Sequence, residues 1–171
     1  MTSTRLVRVQ DSMQSAYEYW CSEPLGRNFD PEFAPELSPQ QMLAMGVFGG
    51  KYLRDCEAEF PADWFVNAKL AQGSPRDISL NYFRVDASQS LSHWRDKGWL
   101  GCEDPRGWFQ WYCRYYMGRR LGSEDQRQIK RWKAIRRHAG AIRKNCEPGD
   151  CNCRRRQRQA LLHWAYDSRV I

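Results

Sequence analysis

The chain has 171 residues, 42% apolar and 27% charged, which fits one ordinary folded domain; its 8 Trp, 8 Tyr and 7 Phe argue against disorder. No run approaches the roughly 20 apolar residues of a membrane span, since the longest, Met42–Phe48, is broken by a glycine. The net charge of +7 is uneven: residues 1–90 hold eight Lys/Arg against twelve Asp/Glu, and residues 91–171 hold nineteen against eight. Such a split points to a polyanionic partner, nucleic acid first and an anionic membrane surface second, or else to a solvated face or one covered by the chain's own acidic half.

The opening MTSTRLVRVQDS has no apolar leader, so a cytoplasmic protein is expected, its seven cysteines being reduced thiols or metal ligands. Leu6–Val9 alternate as in a strand or an arm. Met13, Tyr17 and Trp20, spaced by 4 and 3, predict a short helix over 11–21. Pro24, Gly26, Pro31 and Pro35 then mark a long loop. Ser38-Pro39 is a helix start, with the helix stopping at Gly46, and Gly49-Gly50 permits unusual backbone. Neither a P-loop nor a dinucleotide glycine pattern occurs. Pro61 opens a helix through about Ala71, broken by Gly73-Ser74-Pro75. Residues 77–85 suit a strand or a short helix. Asp86 or Ser88 caps a helix ending at Lys97-Gly98.

The strongest signals follow residue 100. Asp104-Pro105 reads as a cap and first turn for a helix carrying Trp108, Phe109, Trp111, Tyr112, Tyr115 and Tyr116. A helix this apolar is buried on most sides, with Arg106, Gln110 and Arg114 as its polar line, placed to partner the Tyr and Trp tips. Ser123–Gln126 fits a capping box, followed by the stripe Ile129, Trp132, Ile135, Ala139 and Ile142, with Gly140 either interrupting the helix or letting a neighbour pack closely. CEPGDCNC forms a turn before a last helix carrying Leu161, Trp164 and Ala165. The expectation is a mainly α, single compact domain of about six to seven helices: residues 1–37 a helix and loop-rich arm, 38–171 the helical core.

The segments DPRGWFQWYCRYYMGRR, DQRQIKRW and LLHWAYDS resemble a group of small uncharacterised proteins that carry a similar GWFQWY block. The resemblance spans most of residues 38–167. It implies a self-contained domain and no activity.

Four constellations bear on function. Arg119, Arg120, Lys130, Lys133, Arg136, Arg137, Arg154, Arg155, Arg156 and Arg158 form a basic set suited to nucleic acid, because cations along a helix match the phosphate spacing. Their arrangement suits a sequence-independent DNA or RNA surface better than a major-groove reader. The aromatic block would line a pocket for a flat base or, on the plainer reading, form the core. Cys146, Cys151, Cys153 and His163 offer four ligands for a structural zinc, although C-x4-C-x-C departs from the paired knuckle spacing; redox-sensitive or ordinary thiols are the alternatives. Asp55, Glu57, Glu59 and Asp63 would hold Mg²⁺, form a solvated loop or partner the basic half, and His163 with Asp167, at i and i+4, would form the kernel of a general base or a capping or surface pair. The resulting expectation is a small intracellular nucleic-acid-binding protein using a basic helical face. The alternatives are an enzyme acting on a nucleotide or nucleic acid through an aromatic-lined pocket, and a domain that meets an acidic protein.

Overall fold

The structure is a computed structural model that describes residues 4–73 and 75–171; Met1–Ser3 and Ser74, the middle of the expected break after Gly73, lie outside the described residues. The chain is mostly helical. Among the described residues it has a hairpin of β1 (Arg5–Val9) and β2 (Tyr17–Cys21) and six α-helices: α1 (Pro39–Met45), α2 (Leu91–Asp96), α3 (Trp108–Tyr116), α4 (Ser123–Ile135), α5 (Arg137–Asn145) and α6 (Arg155–Leu162), with short 3-10 turns between them.

The hairpin replaces the helix expected over 11–21. Val7 pairs with Tyr19 and Arg8 with Glu18 in an antiparallel register. Val7, Val9, Tyr19 and Cys21 point inward while Arg8 and Glu18 form an ion pair outside at 2.7 Å. That period of two wins because Trp20, an anchor of the helical pattern, is 57% exposed. The expected helix from Pro61 to about Ala71 shrinks to one 3-10 turn, Ala62–Phe65. α1 forms as its sequence predicts: the Ser38 side chain accepts from Gln41 N, and the Gln41 side chain accepts from Ser38 N.

α3 is the centre of the core. Phe109, Trp111, Tyr112 and Cys113 have no exposed surface, and Phe33 meets Trp111, Tyr112, Tyr115 and Trp132 with ring centroids 4.9–5.6 Å apart. The aromatic block is therefore core, not the lining of a pocket. Its polar tips are satisfied from other elements: Trp108 Nε1 donates to Gln128 O, Trp111 Nε1 to Asp125 Oδ1, and the Tyr112 hydroxyl to Leu37 O. The helix starts later than Asp104-Pro105 suggests, with Gly107 at its N-cap. α4 begins at Ser123 itself, so the capping box does not form; Asp125 instead accepts from Leu121 N and from Trp111. The break after α4 falls at Arg136 rather than Gly140. α5 returns as α6, and a disulfide joins Cys146 to Cys153 across the turn, with Cα atoms 5.8 Å apart.

The polar line on α3 also has a different task from the one its spacing suggests. Arg114, fully buried, is held by Glu59 at 2.7 Å and Asp104 at 3.1 Å. Arg119 reaches the other oxygen of Asp104 at 2.6 Å and the Tyr17 hydroxyl at 3.1 Å. Gln14 bridges Arg114 and Glu103 O. Ser22 N and Glu23 N both donate to Gly118 O, and Cys21 forms a β-bridge with Arg119. The hairpin is thereby fastened to the end of α3.

Candidate functional site

The structure divides the ten basic residues singled out in the sequence. Arg119 and Arg158 are buried and belong to the interior: Arg158 donates to Cys153 O, Ser168 O and Ile171 O. Neither can touch a phosphate. Arg120 caps the carbonyls of Tyr115, Arg119, Arg27 and Asn28, its guanidinium 3.8 Å from the Tyr115 ring centre. Arg155 is spent on Phe83 O, and Lys133, although exposed, pairs with Glu32 at 2.8 Å. Lys130, Arg136, Arg137, Arg154 and Arg156 remain exposed. Ile129, Trp132, Ala139 and Ile142 are buried, so the opposite side of α4 and α5 presents Lys130, Lys133 and Arg137 to solvent.

Two exposed cations escaped the sequence reading, Arg143 and Lys144 in the last turn of α5. The disulfide brings that turn beside Arg154–Arg156 at the start of α6. Their signal was present: they follow Ile142, the last residue of the apolar stripe.

The zinc set does not assemble. Cys146 and Cys153 are bonded to each other, Cys151 is an exposed thiol, and His163 is buried elsewhere. Its Nε2 accepts from Phe48 N at 3.1 Å and lies 3.0 Å from Gln159 Nε2, and its ring stacks on Phe48 at 4.2 Å. Burial pushes the imidazole down to about 3, so the ring is neutral. Asp167 pairs with Arg169 rather than His163. Among the described residues no three His, Cys, Asp or Glu side chains converge as a metal site. The acidic run behaves as a partner of the basic half instead: Glu59 holds Arg114, and Asp55 holds Arg106 at 2.7 Å. Burial tends to raise the Asp55 carboxyl, but the Arg106 guanidinium holds it below the usual carboxylate range.

A second feature had no sequence signal as a site. After α1 the chain passes through three successive left-handed residues, Phe48 (φ 54°), Gly49 (φ 62°) and Gly50 (φ 69°). Such backbone is costly for a bulky residue. Here it is held by buried side chains: Asn81 Oδ1 accepts from Gly49 N at 2.7 Å and His163 Nε2 from Phe48 N. The turn delivers Phe48, Lys51 and Tyr52 to the lining of a cavity of about 550 Å³, beside Trp94 of α2. Arg54, Arg76 and Arg106 also line it. Behind these walls the Tyr52 hydroxyl and Arg106 Nε are buried without hydrogen-bond partners.

Set against family models, curated proteins and solved structures, the chain has no match.

Proposed function

We propose that the protein binds nucleic acid, without sequence preference, through the exposed cations of α4, α5 and the start of α6. Residues 123–158 carry twelve Lys/Arg against four Asp/Glu. The observation that carries the reading is the state of these cations. Among the described residues the side chains of Lys130, Arg136, Arg143, Lys144 and Arg156 are exposed and make no ion pair or hydrogen bond within the chain. An arginine that serves the fold is engaged, as Arg114, Arg119 and Arg158 are; these five are left to solvent on a surface backed by a packed apolar stripe. Uncompensated cations on rigid helices neutralise phosphates and release counterions, and that release drives sequence-independent binding.

The test is fluorescence anisotropy of labelled single- and double-stranded oligonucleotides of unrelated sequence, titrated across salt concentrations. Affinity is expected to fall with salt on a log–log slope of about −0.7 to −0.9 per phosphate contact. Lys130→Gln, Arg136→Gln and Arg137→Gln together are expected to make that slope shallower by up to about three contacts, equally for all sequences. A parent protein that binds neither form at low salt refutes the proposal and leaves the face to an acidic protein partner.

A further inference from the structure

We propose that the cavity between the 46–52 turn and α2 binds a small ligand of the nucleoside monophosphate kind, a planar ring carrying a phosphate. The cavity uses none of the α4–α6 cations, so the inference stands apart from the nucleic-acid reading. Its volume of about 550 Å³ falls in the range of small-molecule sites.

The walls have two chemistries. Phe48, Tyr52 and Trp94 form the aromatic part, with Phe48 centred 4.5 Å from Tyr52 and 6.1 Å from Trp94. Such faces stack on a nucleobase whatever its edge. The charged part is positive. Lys51, Arg54, Arg76 and Arg106 line the cavity, and Asp55 is the one carboxylate among its lining residues. Asp55 is already occupied by Arg106 and by the Ser12 hydroxyl, and Arg76 is braced at 2.7 Å by Asp86. Lys51 is exposed and, among the described residues, its side chain makes no hydrogen bond or ion pair. A phosphate beside Lys51 gains charge-assisted hydrogen bonds there.

A further observation marks the cavity as a built site rather than a packing gap. The left-handed turn spends backbone strain to place Phe48, Lys51 and Tyr52 together, and strain of this kind gathers at ligand sites. The roof is suited to admit a ligand, since α2 buries none of its own residues.

Calorimetric titration tests the inference, with AMP, GMP, CMP, UMP, adenosine and inorganic phosphate as probes. At least one monophosphate is expected to bind one per chain, tenfold or more tighter than adenosine or inorganic phosphate. Lys51→Gln is expected to weaken that monophosphate at least fivefold and leave adenosine unchanged; Trp94→Ala is expected to weaken both. The Lys130→Gln, Arg136→Gln, Arg137→Gln variant is expected to keep full affinity, which separates this cavity from the basic face. If Trp94→Ala loses its melting transition, Lys51→Gln decides alone, because Lys51 is on the surface. The inference is overturned if no monophosphate outbinds inorganic phosphate, or if Lys51→Gln leaves the binding unchanged.

Discussion

Replacing Asp104 by alanine removes one carboxylate from between two buried guanidinium groups. Its two oxygens accept from Arg114 Nη1 at 3.1 Å and Arg119 Nη2 at 2.6 Å, and none of the three side chains is more than 1% exposed. Arg114 would keep Glu59. Arg119 would keep only neutral partners, the Tyr17 hydroxyl and the Tyr19 ring 5.4 Å away, and its Nε already has no hydrogen-bond partner. Breaking a buried pair from one side costs about 3–5 kcal/mol, because the surviving charge stays out of water. For a domain of this size each kcal/mol moves the midpoint by roughly 2–4 °C, so a drop of about 6–20 °C is expected by circular dichroism. Arg119→Met added to the same variant is expected to recover part of that loss, since the orphaned charge leaves with it. Lys130→Gln, on the outer face, is expected to stay within about 0.5 kcal/mol of the parent. An Asp104→Ala midpoint within 2 °C of the parent, on the order of 1 kcal/mol or less, would refute the assignment of Arg119 to the interior.

Stability is expected to fall as pH drops from about 6.5 toward 3. Burial holds His163 near 3 in the native chain, so the unfolded chain binds the proton first, at up to about 1.4 kcal/mol per pH unit. His138, also lowered by burial, adds the same sign, so the difference between the parent and His163→Gln, followed by urea unfolding between pH 6.5 and 5, isolates the buried ring; equal slopes would sink the idea. Reducing the Cys146–Cys153 bond is expected to cost on the order of 2 kcal/mol, read as a lower melting midpoint with reductant, and an unchanged midpoint would contradict it. Gly46→Ala is expected to lose at least about 3 kcal/mol, because its Cβ would lie 1.8 Å from Leu80 O at φ +95°. Gly149→Ala has open space and is expected to cost about 1 kcal/mol. Comparable losses from both, by chemical denaturation, would discount the close approach.

What the sequence reveals follows from how local each determinant is. α1 needs only Ser38, Pro39 and Gln41, all within one turn, and its boundaries are readable. The inward stripe of α4 and α5 is likewise local, a spacing of 3 and 4. β2 is not: Tyr17-Glu18-Tyr19 alternates, but Met13, Tyr17 and Trp20 keep helical spacing, and only pairing with Arg5–Val9 decides between them. Arginine burial is the harder case. Arg119 and Arg120 are neighbours, yet one meets a carboxylate fifteen positions upstream and the other caps carbonyls more than ninety positions away. Nothing in a basic run distinguishes them before the partners are in place. The cavity is harder still, since Lys51, Arg76 and Trp94 come from three separate loops and helices. The Gly49-Gly50 pair was its one local trace, and it read only as backbone freedom.

The fastening of the N-terminal hairpin to the end of α3 has a consequence for the order in which the chain can fold. Gln14 and Tyr17 find their partners at Arg114 and Arg119, about a hundred residues on, and the Gly118 carbonyl receives Ser22 and Glu23. During synthesis the first strands emerge long before that seat exists, so they must wait while more than half of the chain is made. Closing so long a loop is entropically late and slow, and contacts of this separation delay folding. The contacts that join α4 to α5 and α5 to α6 are nearer in sequence and can form early. The hairpin docks only once the end of α3 is made, closing the interior over Arg114 and Arg119 and their shared carboxylate.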